Sequence, residues 1–381
     1  EVLIPNQTNY SFRPIAGQYG ESTDDLFRTY RIMYLAYDIT DILKEGKNVA
    51  GAILGEGFYN ATGQYQIPYG SSRFLGQIEI FYEDGTKELV CSDESWKAHP
   101  SPILTNGVFE GEVYDANKEI MDWSTVQISD DDWETVAIRE SPTGQLSAHT
   151  APGDVIYESL KPVSLTKLED GSYEADFGVE ITGWIRFENF IGNKGDTMVV
   201  EYANDQQTVY NRYIFNGENV KEYAPRFTWF TFSNAVINGI DNLTPEMLTA
   251  EMVCTNLPIT SEFDSSNELF TQINTIWRRS QLDNSHGGIA SDCPHRERSG
   301  YTGDGQLSCP TTMNNFDAAA FYKKWIRDMN DAQNVKTGHV PNVVPTNNGA
   351  GGIGWGAAIN IMPWEFYLHY GDKNILEENY F

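Results

Sequence analysis

Cysteine and histidine are scarce in this sequence, which argues against the common metal and redox sites. Only 4 cysteines and 6 histidines occur among 381 residues, and none of them falls into a CxxC, HxH or HExxH pattern. Zinc sites and disulfide frameworks depend on such spacings. We therefore expect free thiols, with no metal and no cofactor.

Basic residues and long apolar runs are also in short supply. The 26 Lys and Arg residues stand against 54 Asp and Glu residues, which gives a formal charge of −28. A chain this acidic repels phosphate backbones and anionic lipids, so neither a nucleic-acid nor a membrane partner is expected. The sequence has no run of about 18 apolar residues, the length that a membrane-spanning helix needs.

Aromatic residues, in contrast, are abundant. The chain contains 9 Trp, 21 Tyr and 19 Phe, which together make up 13% of its residues. Aromatic rings stack on the C–H faces of sugars, and carboxylates accept hydrogen bonds from sugar hydroxyls. The composition therefore favours a protein that binds neutral sugars, although acidic residues also serve solubility alone.

The N-terminal two-thirds of the chain has the pattern of short β-strands. Residues 77–82 alternate between polar and apolar side chains, and Asp84-Gly85 is typical of the turn of a β-hairpin. Further strands are predicted at 32–39, 48–54, 88–90, 172–177, 183–190, 197–203 and 227–237.

Two antiparallel β-sandwich domains fit this spacing of short strands. Turn-forming residues at 141–144 and 151–154 indicate a boundary between them. The predicted order is an N-terminal segment or linker at 1–24, a first sandwich at 25–140, a second sandwich at 141–256 and a helical region at 257–381.

The periodicity becomes helical after residue 260. Ser265 and Glu268 have the spacing of a capping box, which predicts Ser265 as the N-cap of a helix. An amphipathic stripe follows, formed by Leu269, Phe270, Ile273, Ile276 and Trp277.

Two more helices are predicted further along the chain. One begins near residue 317, and the other covers 357–370 with Gly371 as the residue just past its end. Both Trp277 and Trp325 lie on apolar stripes, so we expect them in the core rather than on a sugar platform. The stripe of the helix near 317 consists of Phe321, Tyr322, Trp325, Ile326 and Met329.

One segment between the first two predicted helices concentrates charge. Residues 291–306 read SDCPHRERSGYTGDGQ, with three carboxylates and two arginines interrupted by a proline and three glycines. Charge clusters are most often solvated faces, but these acids lie among turn residues, where the irregular backbone of sites is usually found. Arginines keep some carboxylates ionised while a less-paired acid retains its proton, and glycosidic bond cleavage needs one carboxyl in each state.

This segment resembles the signature motif of bacterial α-L-rhamnosidases of glycoside hydrolase family 78. The similarity extends to residues 37–43, 57–59, 176–178, 183–184, 225–228, 266–269, 363–367 and 370–372. The resemblance implies two β-sandwich domains followed by the N-terminal part of an (α/α)6 barrel, truncated at residue 381. It also implies an enzyme that removes terminal α-L-rhamnose from glycans or glycosides with inversion of configuration.

The same resemblance implies roles for charged residues of the segment. Glu297 matches the family's general acid, which protonates the leaving oxygen. Asp292 and Asp304 match carboxylates that hydrogen-bond the rhamnose hydroxyls, and Arg296 matches a sugar-contacting arginine.

Two aromatic residues match the family's sugar pocket. Tyr301 stands where the family usually has Trp, and Trp355 matches a pocket tryptophan. The family usually continues with Asp at the position of Ala357, so the resemblance leaves the finer substrate specificity open.

An inverting glycosidase also needs a second carboxylate that activates water, about 6.5–9.5 Å from the acid. The resemblance places this general base in later barrel helices, so we expect it downstream of Phe381 and absent from the chain as given. Two alternatives remain: an (α/α)6 hydrolase for another deoxysugar or a uronic acid, or an inactive carbohydrate-binding protein. The expected location is periplasmic or secreted, with a cytoplasmic one left open.

Overall fold

A computed structural model describes residues 31–60, 72–139, 145–203, 208–345 and 352–380. The predicted linker at 1–24 and the predicted turn at 141–144 lie outside these residues. None of the helices in the described ranges has the length and apolar character needed to cross a membrane.

A β-rich part comes first along the chain and a helical part follows, as predicted. The strands are β1 (Arg31–Tyr34), β2 (Gln77–Phe81), β3 (Lys87–Cys91), β4 (Lys97–Ala98), β5 (Ile103–Thr105), β6 (Val113–Asp115), β7 (Glu134–Thr135), β8 (Gln145–Ala148), β9 (Asp154–Leu160), β10 (Ser164–Lys167), β11 (Tyr173–Phe190), β12 (Thr197–Ala203), β13 (Thr208–Ile214), β14 (Val220–Tyr223), β15 (Phe230–Asn238), β16 (Leu248–Thr255), β17 (Ser285–His286) and β18 (Ile289–Ala290). The helices are α1 (Glu268–Asp283), α2 (Thr302–Asn315), α3 (Ala319–Ala332), α4 (Ile353–Gly356), α5 (Ala358–Tyr370) and α6 (Asn374–Glu378).

One large sheet dominates the β-rich part. Its strand order is β5-β6-β13-β12-β15-β11-β16-β9, and β10 and β14 also pair with β11. The two strands predicted at 172–177 and 183–190 are the two ends of β11, with a register shift between Asp176 and Ile181. The core side chains of the central strands are almost fully buried, among them Ala175, Ile185, Val200, Phe232 and Ile237.

The prediction of purely antiparallel pairing is wrong at two places. β1 pairs with β8 in parallel, and β6 pairs in parallel with β13, which attaches β5 and β6 to the large sheet. A parallel pair needs a long connection, and both pairs join segments far apart in the sequence. The boundary at residue 140 stays a prediction.

Strand ends follow the local backbone. The β2–β3 hairpin is confirmed, and Gly85 in its turn has a φ of +83°. The last predicted strand begins at Phe230 rather than 227, because Phe227 has a φ of +59° and cannot extend the strand. Residues 48–54 form no strand, and Leu54 is 50% exposed, so this stretch lacks a buried face.

The helix predictions hold best where a stripe is buried. The five predicted stripe residues of α3 are all fully buried, including Trp325. Helix α5 ends at Tyr370, and Gly371 follows in the left-handed conformation with a φ of +69°. Trp277 is partly buried against the core, with its ring 6.4 Å from that of Phe316.

The predicted N-cap of α1 is wrong. Asn267 caps the helix, since its side chain accepts a hydrogen bond from Leu269 N at 3.1 Å. Ser265 lies two residues earlier, where its hydroxyl accepts a hydrogen bond from Asn267 N at 3.2 Å. The capping box does not form because Asn267, which is closer to the first turn, already accepts the hydrogen bond of the free Leu269 N–H group.

Candidate active site

The signature segment, residues 291–306, forms a closed loop followed by a helix. It leaves the β17–β18 hairpin and enters α2 at Thr302. Asp292 N donates to Ser299 O at 3.2 Å, and Arg298 N donates to Cys293 O at 3.1 Å. These two bonds hold the ends of residues 292–299 together, so the intervening turn carries its side chains on a fixed base.

Two carboxylates meet on this loop. An oxygen of Asp292, an oxygen of Glu297 and the Sγ of Cys293 all lie within 4.8 Å of one another. Burial, together with the hydrogen bond and the negative charge of Glu297, raises the pKa of Asp292 to about 7. The pair therefore holds a proton near neutral pH, which is the condition for donating one.

Two more predicted residues lie beside this carboxylate pair. Arg296 Nη2 is 3.5 Å from Glu297 Oε2, and the arginine side chain is 42% exposed. Burial raises the pKa of the Tyr301 phenol, and the charges of Glu297 and Asp292 add to the shift. The structure thus brings Asp292, Arg296, Glu297 and Tyr301 together.

The other two predicted residues lie at the N-terminal end of α2. Asp304 is exposed in the first turn of this helix, where its negative charge is favoured by the helix dipole. Trp355, on α4, is 42% exposed, and its carbonyl accepts a hydrogen bond from Thr302 Oγ1 at 3.1 Å. Tyr301 immediately precedes α2, so the loop residues and this helix end are continuous.

The expectation that glycines keep the whole segment irregular is wrong for Gly303 and Gly305, which belong to α2. A Cβ at residue 303 would lie 2.7 Å from Trp355 Nε1, and one at residue 305 would lie 2.2 Å from the Trp325 ring. Glycine is therefore needed because the helix approaches two indole rings closely. The sequence showed turn-formers where the structure needs small residues.

The same loop contains the one group of potential metal ligands found in the described residues. Asp292, Cys293 and Glu297 each offer a ligand atom to it. A metal would need the Cys293 thiolate, but burial raises the pKa of that thiol. A metal would also occupy the oxygens of both Asp292 and Glu297, so the arrangement suits proton transfer better.

The sequence predicts no role for Arg298. It is 2% exposed, although it lies directly next to Glu297 in a charged loop. No pattern in the sequence distinguishes it from the exposed Arg296 two positions earlier. Only the packing of distant residues reveals the difference.

Replacing Glu297 with glutamine is expected to lower the pKa of Asp292 from about 7, because the neutral amide removes the repelling charge. Burial keeps it above the ordinary value of about 3.9. Carboxyl ¹³C NMR titration of labelled aspartate measures this shift. Asp154 is the control, since burial raises its pKa to about 6 and Glu297 is not among the groups that shift it. An unmoved Asp292 would contradict the contact between the two carboxylates.

Three family models match consecutive parts of the chain. They are the alpha-L-rhamnosidase N-terminal domain over residues 26–158, the bacterial alpha-L-rhamnosidase concanavalin-like domain over 166–254, and the bacterial alpha-L-rhamnosidase 6 hairpin glycosidase domain over 258–381. All three models describe parts of one family, and together they leave little of the chain unmatched.

Individual relatives agree with these models. An alpha-L-rhamnosidase of Formosa agariphila is 30% identical over 385 residues, covering 91% of this chain and 40% of the relative. The structure of an alpha-L-rhamnosidase from Dictyoglumus thermophilum matches with a TM-score of 0.85 at 34% identity, covering 93% of this chain and 42% of the other. A Streptomyces avermitilis alpha-L-rhamnosidase complexed with L-rhamnose matches with a TM-score of 0.81 at 26% identity, covering 92% and 36%. The chain thus spans about two-fifths of the length of these relatives.

Proposed function

This chain belongs to the bacterial α-L-rhamnosidase family, and from that membership we propose that its protein hydrolyses terminal α-L-rhamnosides. The observation that carries the proposal is the carboxylate pair of Asp292 and Glu297, which retains a proton near neutral pH. Glycosidic bond cleavage needs such a proton donor, together with an ionised carboxylate elsewhere around the sugar.

We assign the proton donation to Glu297. It stands on the turn of the closed loop, and the neighbouring Asp292 keeps a proton available to the pair. Arg296 is partly exposed beside Glu297, so its guanidinium can reach a sugar hydroxyl. The exposed indole of Trp355 and the ring of Tyr301 supply apolar faces for the sugar.

The distance between the two carboxylates distinguishes the role of Asp292 from that of Glu297. Oxygens of Asp292 and Glu297 lie within 4.8 Å, and an inverting pair needs about 6.5–9.5 Å to admit water. Asp292 is therefore too close to be the general base, and it serves to bind the sugar. We assign the base to a carboxylate outside residues 1–381, which agrees with the two-fifths coverage of the relatives.

Exposed apolar side chains support a larger helical domain of the (α/α)6 type. Leu269, Phe270 and Ile273 on α1 are each more than half exposed, as is Trp364 on α5. Removing apolar surface from water stabilises a protein by about 25 cal/mol per Å², so leaving these side chains exposed to solvent is unfavourable. Further helices packed on α1 and α5 would cover them.

The substrate that this site favours is a rhamnose-containing oligosaccharide, polysaccharide or glycoside. The Streptomyces avermitilis relative of known structure is complexed with L-rhamnose, which supports the choice of sugar. A polymer substrate of this kind fits a periplasmic or secreted protein.

The stereochemistry of the product tests the proposal. The full-length protein is incubated with an α-L-rhamnoside, and ¹H NMR follows the anomer that is released first. β-L-Rhamnose is expected. Release of the α anomer would make Asp292 a nucleophile instead, since retaining pairs lie about 5–5.5 Å apart. Binding without any release would favour the inactive carbohydrate-binding alternative.

Alanine at Asp292 or at Asp304 is expected to weaken rhamnose binding about 10- to 150-fold. Charge-assisted hydrogen bonds contribute about 1.5–3 kcal/mol each, which corresponds to that range. Titration calorimetry with rhamnose measures the effect, and Asp241→Ala, in an exposed turn before β16, serves as the control. Unchanged affinity in both variants would leave these aspartates with a structural role only.

A further inference from the structure

The side chain of Arg298 leaves the signature segment and enters the β-rich part of the protein. Its Nη1 donates hydrogen bonds to Val108 O and to Trp229 O, the latter at 2.8 Å. Val108 belongs to the first family domain matched along the chain and Trp229 to the second. One guanidinium therefore ties the loop of the third domain to both β regions.

Aromatic rings surround this guanidinium. Its Cζ lies 5.2 Å from the ring centre of Phe109 and 5.5 Å from that of Trp229. Trp229 is itself fixed, because it is 1% exposed and stacks on His286 with ring centres 4.5 Å apart. Burial lowers the pKa of Arg298 to about 9, which leaves it charged at neutral pH. The guanidinium cation is therefore held by cation–π contacts with two aromatic rings, one of which is fixed by its own stacking.

The backbone of Arg298 is as constrained as its side chain. Its φ of +54° is in the left-handed region, which a non-glycine residue adopts only when its surroundings require it. Arg298 N donates the bond to Cys293 O that closes the loop, and Ser299 Oγ donates to Glu297 O at 3.0 Å. Any movement of Arg298 is thus transmitted to the peptide of Glu297.

We propose that Arg298 is a positioning residue for the proton donor. By fixing the loop to residues 108 and 229, it sets the relative orientation of the Asp292 and Glu297 carboxyl groups. The β regions then take part in catalysis by holding this anchor. The inference rests on the proposed rhamnosidase function.

Two variants of the full-length protein test it, Arg298→Lys and Arg298→Met. Lysine keeps a charge but has no planar guanidinium to lie against Phe109 and Trp229, and methionine keeps only an apolar stem. Each variant is assayed on an alkyl rhamnoside, whose leaving group needs a proton, and on an aryl rhamnoside, whose leaving group does not. We expect kcat on the alkyl substrate to fall at least tenfold more than kcat on the aryl substrate, with KM little changed.

The ratio of kcat on the alkyl substrate to kcat on the aryl substrate separates positioning from a loss of folded protein, because unfolding removes both activities equally. Arg212→Met is the matched control, since Arg212 also lies over an aromatic ring, that of Tyr210 at 5.0 Å, but on β13. The control ratio is expected to equal that of the wild type. Equal losses on both substrates in the Arg298 variants would overturn the proposal.

A second measurement does not depend on turnover. The pKa of Asp292, followed by carboxyl ¹³C NMR, is expected to move from about 7 in Arg298→Lys, because the contact with Glu297 changes. An unchanged value would show that the loop keeps its geometry without the arginine. If the wild type released no rhamnose while this pKa moved, the proposed function would fail and the anchoring of the loop would stand.

Discussion

Replacing Glu297 with glutamine is expected to lower kcat on an alkyl or sugar rhamnoside by about 10²–10⁴ in the full-length protein, the usual contribution of general acid catalysis. Glutamine has nearly the same shape, so it keeps the closed loop between Asp292 and Ser299. It cannot give a proton to the leaving oxygen, and the barrier to bond cleavage rises accordingly.

The leaving group distinguishes proton donation from other roles of Glu297. On an aryl rhamnoside the loss is expected to be much smaller, since the departing phenolate is stable without a proton. Glu377→Gln, at an exposed position of α6, is the control and should leave both rates unchanged. If the Glu297 variant lost equal activity on both substrates, the proton donor would be another residue.

Features that depend on neighbouring residues could be predicted from the sequence. The β2–β3 hairpin follows from Asp84-Gly85 between alternating strands, and the buried face of α3 follows from its apolar spacing. Gly371 ends α5 because only glycine enters the left-handed region without strain. Each of these structures is determined within a few turns or a few strand residues.

Features that depend on distant residues could not be predicted from the sequence. The need for glycine at residues 303 and 305 of α2 comes from the indoles of Trp355 and Trp325, which lie on other helices. The parallel pairing of β6 with β13 likewise joins segments separated by many residues. Local patterns carry no information about such partners, so α2 was predicted as a loop.

The candidate site shows the same division. Residue types predicted that one acid of the segment keeps its proton while arginines hold others ionised, but not which acid; the structure places an oxygen of Asp292 within 4.8 Å of an oxygen of Glu297. The sequence could not show that burial raises the pKa of Asp292, because burial depends on the packed fold. For the same reason it could not separate the anchored Arg298 from the exposed Arg296.

Trp325 forms the support beneath the signature segment. It is fully buried on α3, and its Nε1 donates to Val344 O at 3.1 Å. The backbone of Gly305 approaches its ring so closely that a Cβ would lie 2.2 Å away, and Gly300 lies against the same ring. The C-terminal end of the signature segment and the first turn of α2 therefore pack on this side chain.

Trp325→Ala is expected to lower the free energy of unfolding by about 3–5 kcal/mol, because a large buried ring is replaced by a cavity and Val344 O loses its donor. Urea unfolding followed by circular dichroism measures the change. Phe81→Ala is the control, since that ring is 72% exposed on β2, outside the helical part, and its loss should be small. Trp325→Phe retains most of the ring and should lose less than the alanine variant. Equal stability of the Trp325→Ala and Phe81→Ala variants would mean that the indole of α3 does not support the signature segment.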